Sequence, residues 1–219
     1  MQLYSFFNSS TSYRVRIALA LKGLPYDYLP VNIRVGQHRE AEYVDGINPS
    51  ATVPALVDDE FQLSQSLAIM DYLDARYPEP RLIPQAAEPR ARVLELVNLI
   101  ACDIHPVNNL RVLRYLQDEL KVTPAQKDAW YRHWVDDGMA GVERLLARYG
   151  HGKWCFGDSP TLADVTLVPQ IANALRTGCD LSQHTRAMAV YEHAIAHPAF
   201  AAAAPARQPD YTEIGRAHV

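Results

Sequence analysis

The stretch 78–89, PEPRLIPQAAEP, places four prolines in twelve residues: Pro78, Pro80, Pro84 and Pro89. Proline has no backbone N–H and a locked φ, so no helix interior or central strand survives at this density. The chain must break here, and its two sides read differently. Before the break, short β-type runs alternate with helical ones. After it, residues 89–120, 124–148, 161–177 and 184–196 carry helical periodicity and no convincing strand appears. The expected organisation is an α/β domain at 1–80, a linker at 81–88 and an all-helical domain at 89–219. With 219 residues, 48% of them hydrophobic, there is material for two modest cores.

Residues 2–6 read as a strand. Residues 11–22 read as a helix with almost no polar face, interrupted only by Arg14, Arg16 and Lys22, and such a helix is buried on most sides. Gly23 stops it. YDYLPVNI (26–33) is a second strand, and strand–helix–strand predicts a parallel pair. A short polar helix near 38–45 follows. TVPALVDDEFQL (52–63) then reads as a hairpin: Ala55–Val57, a turn at Asp58-Asp59, and Phe61–Leu63. Residues 65–77 are helical again, with Ile69, Met70, Leu73 and Tyr77 on one side and Asp71 and Asp74 on the other. The order is βαβ-αββα.

The net charge of −4 argues against nucleic acid or an anionic membrane as the main partner. The first 80 residues hold 6 Lys and Arg against 10 Asp and Glu, so the excess acid lies there. Three scattered cysteines, Cys102, Cys155 and Cys179, suit a reducing compartment without a disulfide framework. The opening MQLYSFF lacks a signal peptide's basic and apolar regions, and no apolar run approaches the ~20 residues of a membrane span. These features suggest a soluble cytoplasmic protein. The tail after Gln208 reads as frayed and its last residues as an appended remnant.

Four hydroxyls, Ser9, Ser10, Thr11 and Ser12, stand at the start of the first helix. One is enough to cap it, and the plain reading is a cap with three solvated neighbours. A helix N-terminus is also an anion site, with free N–H groups and partial positive charge. Ser64-Gln65-Ser66 forms a second such mouth. Between them lies Val53-Pro54. A proline opening a strand marks an edge, and a cis bond there would turn the Val53 N–H and C=O outward. Two anion sites flanking a free strand edge suit a short extended peptide with a negative charge at each end. Glutathione as a thiolate has that shape.

These residues also carry a family resemblance. The run Ser9-Ser10-Thr11-Ser12-Tyr13-Arg14-Val15-Arg16-Ile17-Ala18-Leu19 resembles the N-terminal signature of zeta-class glutathione transferases, the maleylacetoacetate and maleylpyruvate isomerases. Ile47-Asn48-Pro49, the TVPAL proline, Gln65-Ser66, IHPVNN (104–109), FGDSPTLADVTLVPQ (156–170) and RQPD (207–210) extend the match over nearly the whole chain. The resemblance implies a glutathione transferase fold: a thioredoxin-like N-terminal domain plus an all-α C-terminal domain, assembled as a homodimer. It implies glutathione as cofactor and a small dicarboxylate substrate. Ser9, Ser10 and Thr11 would be catalytic. Val53, Pro54, Gln65 and Ser66 would hold glutathione, with His38 near its glycine end and Asn108 facing the cleft. Arg176 would hold a substrate carboxylate, with Asn8, His105 and Arg111 as further substrate contacts. Two positions depart from the family pattern. Thr11 replaces the signature cysteine, and Asn8 stands where the family usually has an arginine for the substrate.

Other motifs have simpler readings. Thr161-Leu162-Ala163-Asp164 is a capping box. Cys102-Asp103-Ile104-His105 has no second ligand pair at zinc spacing, so no metal is expected. Pro106 should kink the long helix and aim His105, Asn108 and Asn109. Gln37-His38 reads as a solvated loop, and Arg176 as a helix-end cation that complements the dipole.

The expected activity is a glutathione-dependent cis–trans isomerisation of a maleyl oxo-acid. General conjugation or peroxidase activity, and a non-catalytic binding role, stand as alternatives.

Overall fold

The computed structural model describes residues 1–212; residues 213–219, which include the expected remnant, lie outside the described residues. The chain packs as two compact units. One is Met1–Ile83 together with the chain from Ile195 on; the other is Pro84–Ala194.

In the first unit the expected order is present. It runs β1 (Gln2–Ser5), α1 (Ser10–Leu21), β2 (Asp27–Pro30), a 3₁₀ turn at Gln37–Arg39, α2 (Ala41–Gly46), β3 (Ala55–Asp58), β4 (Phe61–Ser64) and α3 (Ser66–Arg76). The sheet order is β2-β1-β3-β4. β1 and β2 are parallel with Leu3 opposite Tyr28, while β3 is antiparallel to β1 with Leu3 opposite Leu56.

Burial of α1 goes further than its apolar pattern suggests. Arg14 and Arg16 are 1% and 0% exposed. A buried guanidinium needs acceptors for its donors. Arg16 donates to the carbonyls of Ala203 at 3.0 Å, Phe6 at 3.3 Å and Phe7 at 3.0 Å, and to Ser5 Oγ at 3.2 Å. It thereby ties α1 to the chain end. The alanine run there is a helix, α9 (Pro198–Ala203 in chain order), and Phe200 is fully buried. Of the tail expected to fray, Asp210 and Tyr211 are docked. Asp210 accepts from Phe7 N–H at 3.0 Å and from the Tyr28 hydroxyl at 2.6 Å, and Tyr211 meets Phe7 edge-on. These bonds explain why the chain end joins the first unit instead of the 89–219 domain expected from sequence.

Asp74 also departs from its expected outward position and is 3% exposed. Its carboxylate meets Lys22 Nζ at 2.9 Å and accepts from Leu82 N–H at 2.7 Å and Ile83 N–H at 3.1 Å. Lys22 also donates to the carbonyls of Tyr77 and Pro80. The start of the proline-rich stretch is thus fastened to the first unit.

The second unit contains α4 (Ala87–Asn98), α5 (Leu110–Asp118), α6 (Pro124–Tyr149), α7 (Leu162–Arg176) and most of α8 (Thr185–Ile195). A two-residue parallel pair, β5 (His151–Gly152) with β6 (Phe156–Gly157), is strand structure that the helical patterns did not announce. The expected helix at 89–120 is broken rather than kinked. A wide π turn at Leu99–Ile104 and a 3₁₀ turn at Pro106–Asn108 separate α4 from α5. Proline at 106 has no N–H for the i−4 carbonyl, so the α pattern cannot run through it. Gly138 allows α6 to pass this turn, because a Cβ there would run into the Ile104 side chain. The capping box is present: Asp164 accepts from Thr161 N–H at 2.8 Å and also from Cys155 N–H at 2.7 Å. Among the described residues no helix is long and apolar enough to cross a membrane.

Candidate functional site

The four hydroxyls separate into distinct roles. Ser9 is the N-cap of α1, and its Oγ accepts from Ser12 N–H at 3.2 Å. Thr11 Oγ1 donates to the Val53 carbonyl at 3.0 Å and lies 2.9 Å from Ser9 Oγ. Thr11 has one proton and spends it on Val53, so the Ser9 contact must use the Ser9 proton. Capping therefore occupies a lone pair of Ser9 while its proton points to Thr11 Oγ1, and a ligand atom that takes this proton replaces the Thr11 contact. The cap and the donor readings are compatible in one side chain. Ser10 and Ser12 are buried. Asn8, just before the cap, is half-buried.

The Val53 edge is built by residues that sequence reading did not single out as functional. The Val53–Pro54 peptide is cis. Just upstream, the Thr52 carbonyl accepts from the Tyr43 hydroxyl and from Asn48 Nδ2, both at 2.7 Å. Asn48 Oδ1 in turn accepts from Ser50 N–H at 3.0 Å. Asn48 is fully buried, and its place in the Ile47-Asn48-Pro49 turn motif was the available signal. Burial pushes the Tyr43 hydroxyl pKa up to about 12, so it stays a donor. Phe6, Phe7, Val31, Tyr43 and Val53 form the apolar floor beneath.

At the second helix mouth, Gln65 holds φ 71 and ψ 114 and makes no side-chain cap bond. A non-glycine residue at positive φ is costly, roughly 1–3 kcal/mol, and such residues cluster at ligand sites. Ser66 begins α3 and is buried. Its Oγ accepts from Arg14 Nη1 at 3.4 Å. A buried guanidinium thus stands behind an uncapped helix N-terminus, and both favour an anion there. The sequence pattern marked Arg14 only as an interruption of an apolar helix. His38 is buried in its 3₁₀ turn rather than solvated, and its Nε2 accepts from Arg39 Nε at 3.4 Å.

In the second unit, Asn108 is buried and its Nδ2 donates to the Tyr131 carbonyl at 3.1 Å. Its Oδ1 is buried with no hydrogen-bond partner among the described residues. His105 Nε2 lies 3.4 Å from Asn109 Nδ2. Arg111 is exposed in the first turn of α5, whose N-cap is Asn109. It therefore belongs to a separate helix from Asn108, not to a later turn of one kinked helix. Arg176 ends α7, is exposed, and donates to Asn173 Oδ1. Among the described residues no group of three His, Cys, Asp or Glu is placed to hold a metal.

A four-stranded mixed sheet with helices, followed by a helical unit, is the architecture of a glutathione transferase: a thioredoxin-like domain and an α domain. Comparison with known proteins agrees. Residues 3–81 match the glutathione S-transferase N-terminal domain and residues 128–200 the glutathione S-transferase C-terminal domain. Maleylacetoacetate isomerase of Pseudomonas aeruginosa is 48% identical, over 96% of this chain and 98% of that one. A holo maleylpyruvate isomerase, described as a bacterial zeta-class glutathione S-transferase, superposes with a TM-score of 0.94. It is 43% identical, covering 97% of this chain and all of that one. Maleylacetoacetate isomerase of Anaeromyxobacter dehalogenans, solved with dicarboxyethyl glutathione and citrate in its active site, gives 0.83 at 38% identity, over 95% of this chain and 92% of that one. The chain belongs to the glutathione S-transferase family, in the zeta class that holds the maleylacetoacetate and maleylpyruvate isomerases.

Proposed function

We propose that this protein is a glutathione-dependent cis–trans isomerase that converts a maleyl oxo-acid, maleylacetoacetate or maleylpyruvate, to its fumaryl isomer. The observation that carries the reading is the Ser9 hydroxyl, held at the mouth of α1 by the cap bond from Ser12 N–H and joined through Thr11, which accepts its proton, to the Val53 edge; rotation of that proton away from Thr11 would supply the donor.

Glutathione would supply a thiolate able to add reversibly to an activated double bond. The chain's own residues fit such a group. The uncapped start of α3, with Gln65, Ser66 and the Arg14 charge behind them, suits the γ-glutamyl carboxylate. Val53 offers its N–H and the second lone pair of the carbonyl that Thr11 already holds, Pro54 follows it into β3, and His38 stands for the glycine end. Ser9 donates to the sulfur. A thiol of pKa about 8.5 is mostly protonated at neutral pH, and a helix N-terminus with a hydroxyl donor lowers that value. Ser10 and Thr11 support Ser9. Asn108 contributes its buried Oδ1 as an acceptor. Arg176 takes one substrate carboxylate, with His105 and Arg111 as secondary contacts.

Asn8 favours one second reading, a general glutathione transferase or peroxidase. An uncharged side chain there holds a carboxylate less firmly than the arginine usual in the family. The domain roles follow, with the chain from Ile195 counted with the first unit: residues 1–80 bind glutathione and the helices within 89–194 bind substrate, joined by 81–88, in a cytoplasmic homodimer. The test is steady-state kinetics with glutathione on maleylacetoacetate, maleylpyruvate and a chromogenic aryl halide. Isomerisation of a maleyl acid supports the proposal. Efficient aryl halide conjugation without isomerisation selects the second reading.

A further inference from the structure

Arg176 is exposed at the end of α7, where a long side chain has many rotamers to lose before it can grip an anion. An amide on its own helix grips it, and a buried tyrosine anchors that amide. Its Nη2 donates to Oδ1 of Asn173, one turn earlier on the same helix face. Asn173 Nδ2 donates to the Tyr131 hydroxyl at 2.6 Å. The direction of the amide follows from charge. A guanidinium only donates, so Asn173 must turn its oxygen toward Arg176 and its NH₂ toward Tyr131. Flipping the amide would set donor against donor. Tyr131 lies on α6, is 5% exposed, and so is an anchor that does not move with the surface. Its hydroxyl pKa is pushed up to about 12 by burial, which keeps it neutral. The same residue's carbonyl holds Asn108, so one buried tyrosine secures two candidate side chains through different atoms.

We propose that Asn173, anchored by Tyr131, is the positioning residue of Arg176, and that this strut sets how firmly the protein holds a carboxylate of a dicarboxylate substrate. The inference rests on the substrate reading given above for Arg176. It concerns a residue that sequence patterns did not mark, because Asn173 and Tyr131 are 42 positions apart and meet only through packing.

The test uses two glutathione derivatives, S-methylglutathione and S-(1,2-dicarboxyethyl)glutathione, with affinities measured by calorimetry on the full-length protein. Their affinity ratio isolates the added carboxylates. In wild type the dicarboxyethyl derivative should bind at least about tenfold tighter, as one charged hydrogen bond implies. Asn173→Leu should cut that ratio about three- to tenfold by removing this hold on Arg176. Asn173→Asp, nearly isosteric, should cut it further, by about tenfold or more, because the new carboxylate competes for the guanidinium. Tyr131→Phe should cut it about threefold while leaving the Asn108 bond, which uses a backbone atom. S-methylglutathione affinity should stay within about twofold throughout, which a general loss of structure would not allow. An unchanged ratio in all three variants, or parallel losses for both derivatives, overturns the strut. Wild type that binds both derivatives equally overturns the role of Arg176 instead. Wild type that binds neither overturns the glutathione reading itself.

Discussion

The Thr11 hydroxyl donates to the Val53 carbonyl oxygen at 3.0 Å, fastening the first turn of α1 to the chain just before β3. Val53 is buried, so this acceptor has little water to fall back on. Thr11→Val keeps the shape and removes the donor. It should lower stability by about 1–3 kcal/mol, the usual penalty for a stranded buried group. Thr11→Ser should restore most of it. Urea unfolding of the three proteins decides, and equal midpoints for Val and Thr would remove the role assigned to this bond.

Ser9 serves α1 with a lone pair and, in the proposed site, would serve the glutathione sulfur with its proton, and two substitutions separate these services. Ser9→Ala should lose about 1 kcal/mol of stability along with the donor, whereas Ser9→Gly should lose only a few tenths. Both should raise the pKa of bound glutathione equally, since a donor to the charged form is gone. Thiolate absorbance against pH is the measurement. A titration that follows stability, shifting in Ala but not in Gly, would show that the cap alone matters.

At the second mouth, Ser66 is the first residue of α3 and its Oγ accepts from the buried Arg14 guanidinium. Ser66→Ala removes a hydroxyl from the proposed carboxylate site, and charge-assisted contacts are worth about 1.5–3 kcal/mol. Glutathione affinity should drop about tenfold or more by calorimetry. Unaltered affinity would move the γ-glutamyl carboxylate elsewhere.

Tyr43 makes stability depend on alkaline pH. Its pKa rises from 10.0 to about 12, chiefly by burial, with Tyr4 adding and the Asn48 contact opposing. Below pH 10 the hydroxyl is protonated in folded and unfolded chains alike, and its bond to the Thr52 carbonyl contributes in full. Between the two values the unfolded chain ionises first, so stability falls as pH rises, by at most about 1.4 kcal/mol per pH unit. Tyr43→Phe should be less stable at neutral pH and lose less between pH 10 and 12. Parallel profiles for the two proteins would contradict this.

Lys22 and Asp74 predict a stability loss without a direct loss of chemistry. Asp74→Ala leaves a buried ammonium without its counter-charge and two N–H groups without their acceptor, so unfolding free energy should drop about 3–5 kcal/mol. Lys22→Met with Asp74→Leu should recover part of that loss, because no buried charge then lacks its partner. A double variant no better than Asp74→Ala would mean that the Leu82 and Ile83 N–H bonds, not the ion pair, dominate.

Much of this molecule was legible in the sequence, because local physics determined it. Period-2 and helical apolar patterns located the strands and helices of the first unit. The Pro106 lesion, the Thr161–Asp164 box and the serine-rich start of α1 are rules of a few consecutive residues, and each appears at its place. Tertiary structure decided what depends on distant partners. Arg16 reads in the pattern only as an interruption of an apolar helix and Asp74 as part of a polar face; each is buried because distant carbonyls and a lysine meet its charge. The chain end looked unstructured until Asp210 met Phe7 and Tyr28. Likewise no spacing could tell that Thr11 reaches Val53, or that Tyr131 holds Asn173. Hydrogen bonds act over about 3 Å, and only the packed chain brings such residues that close.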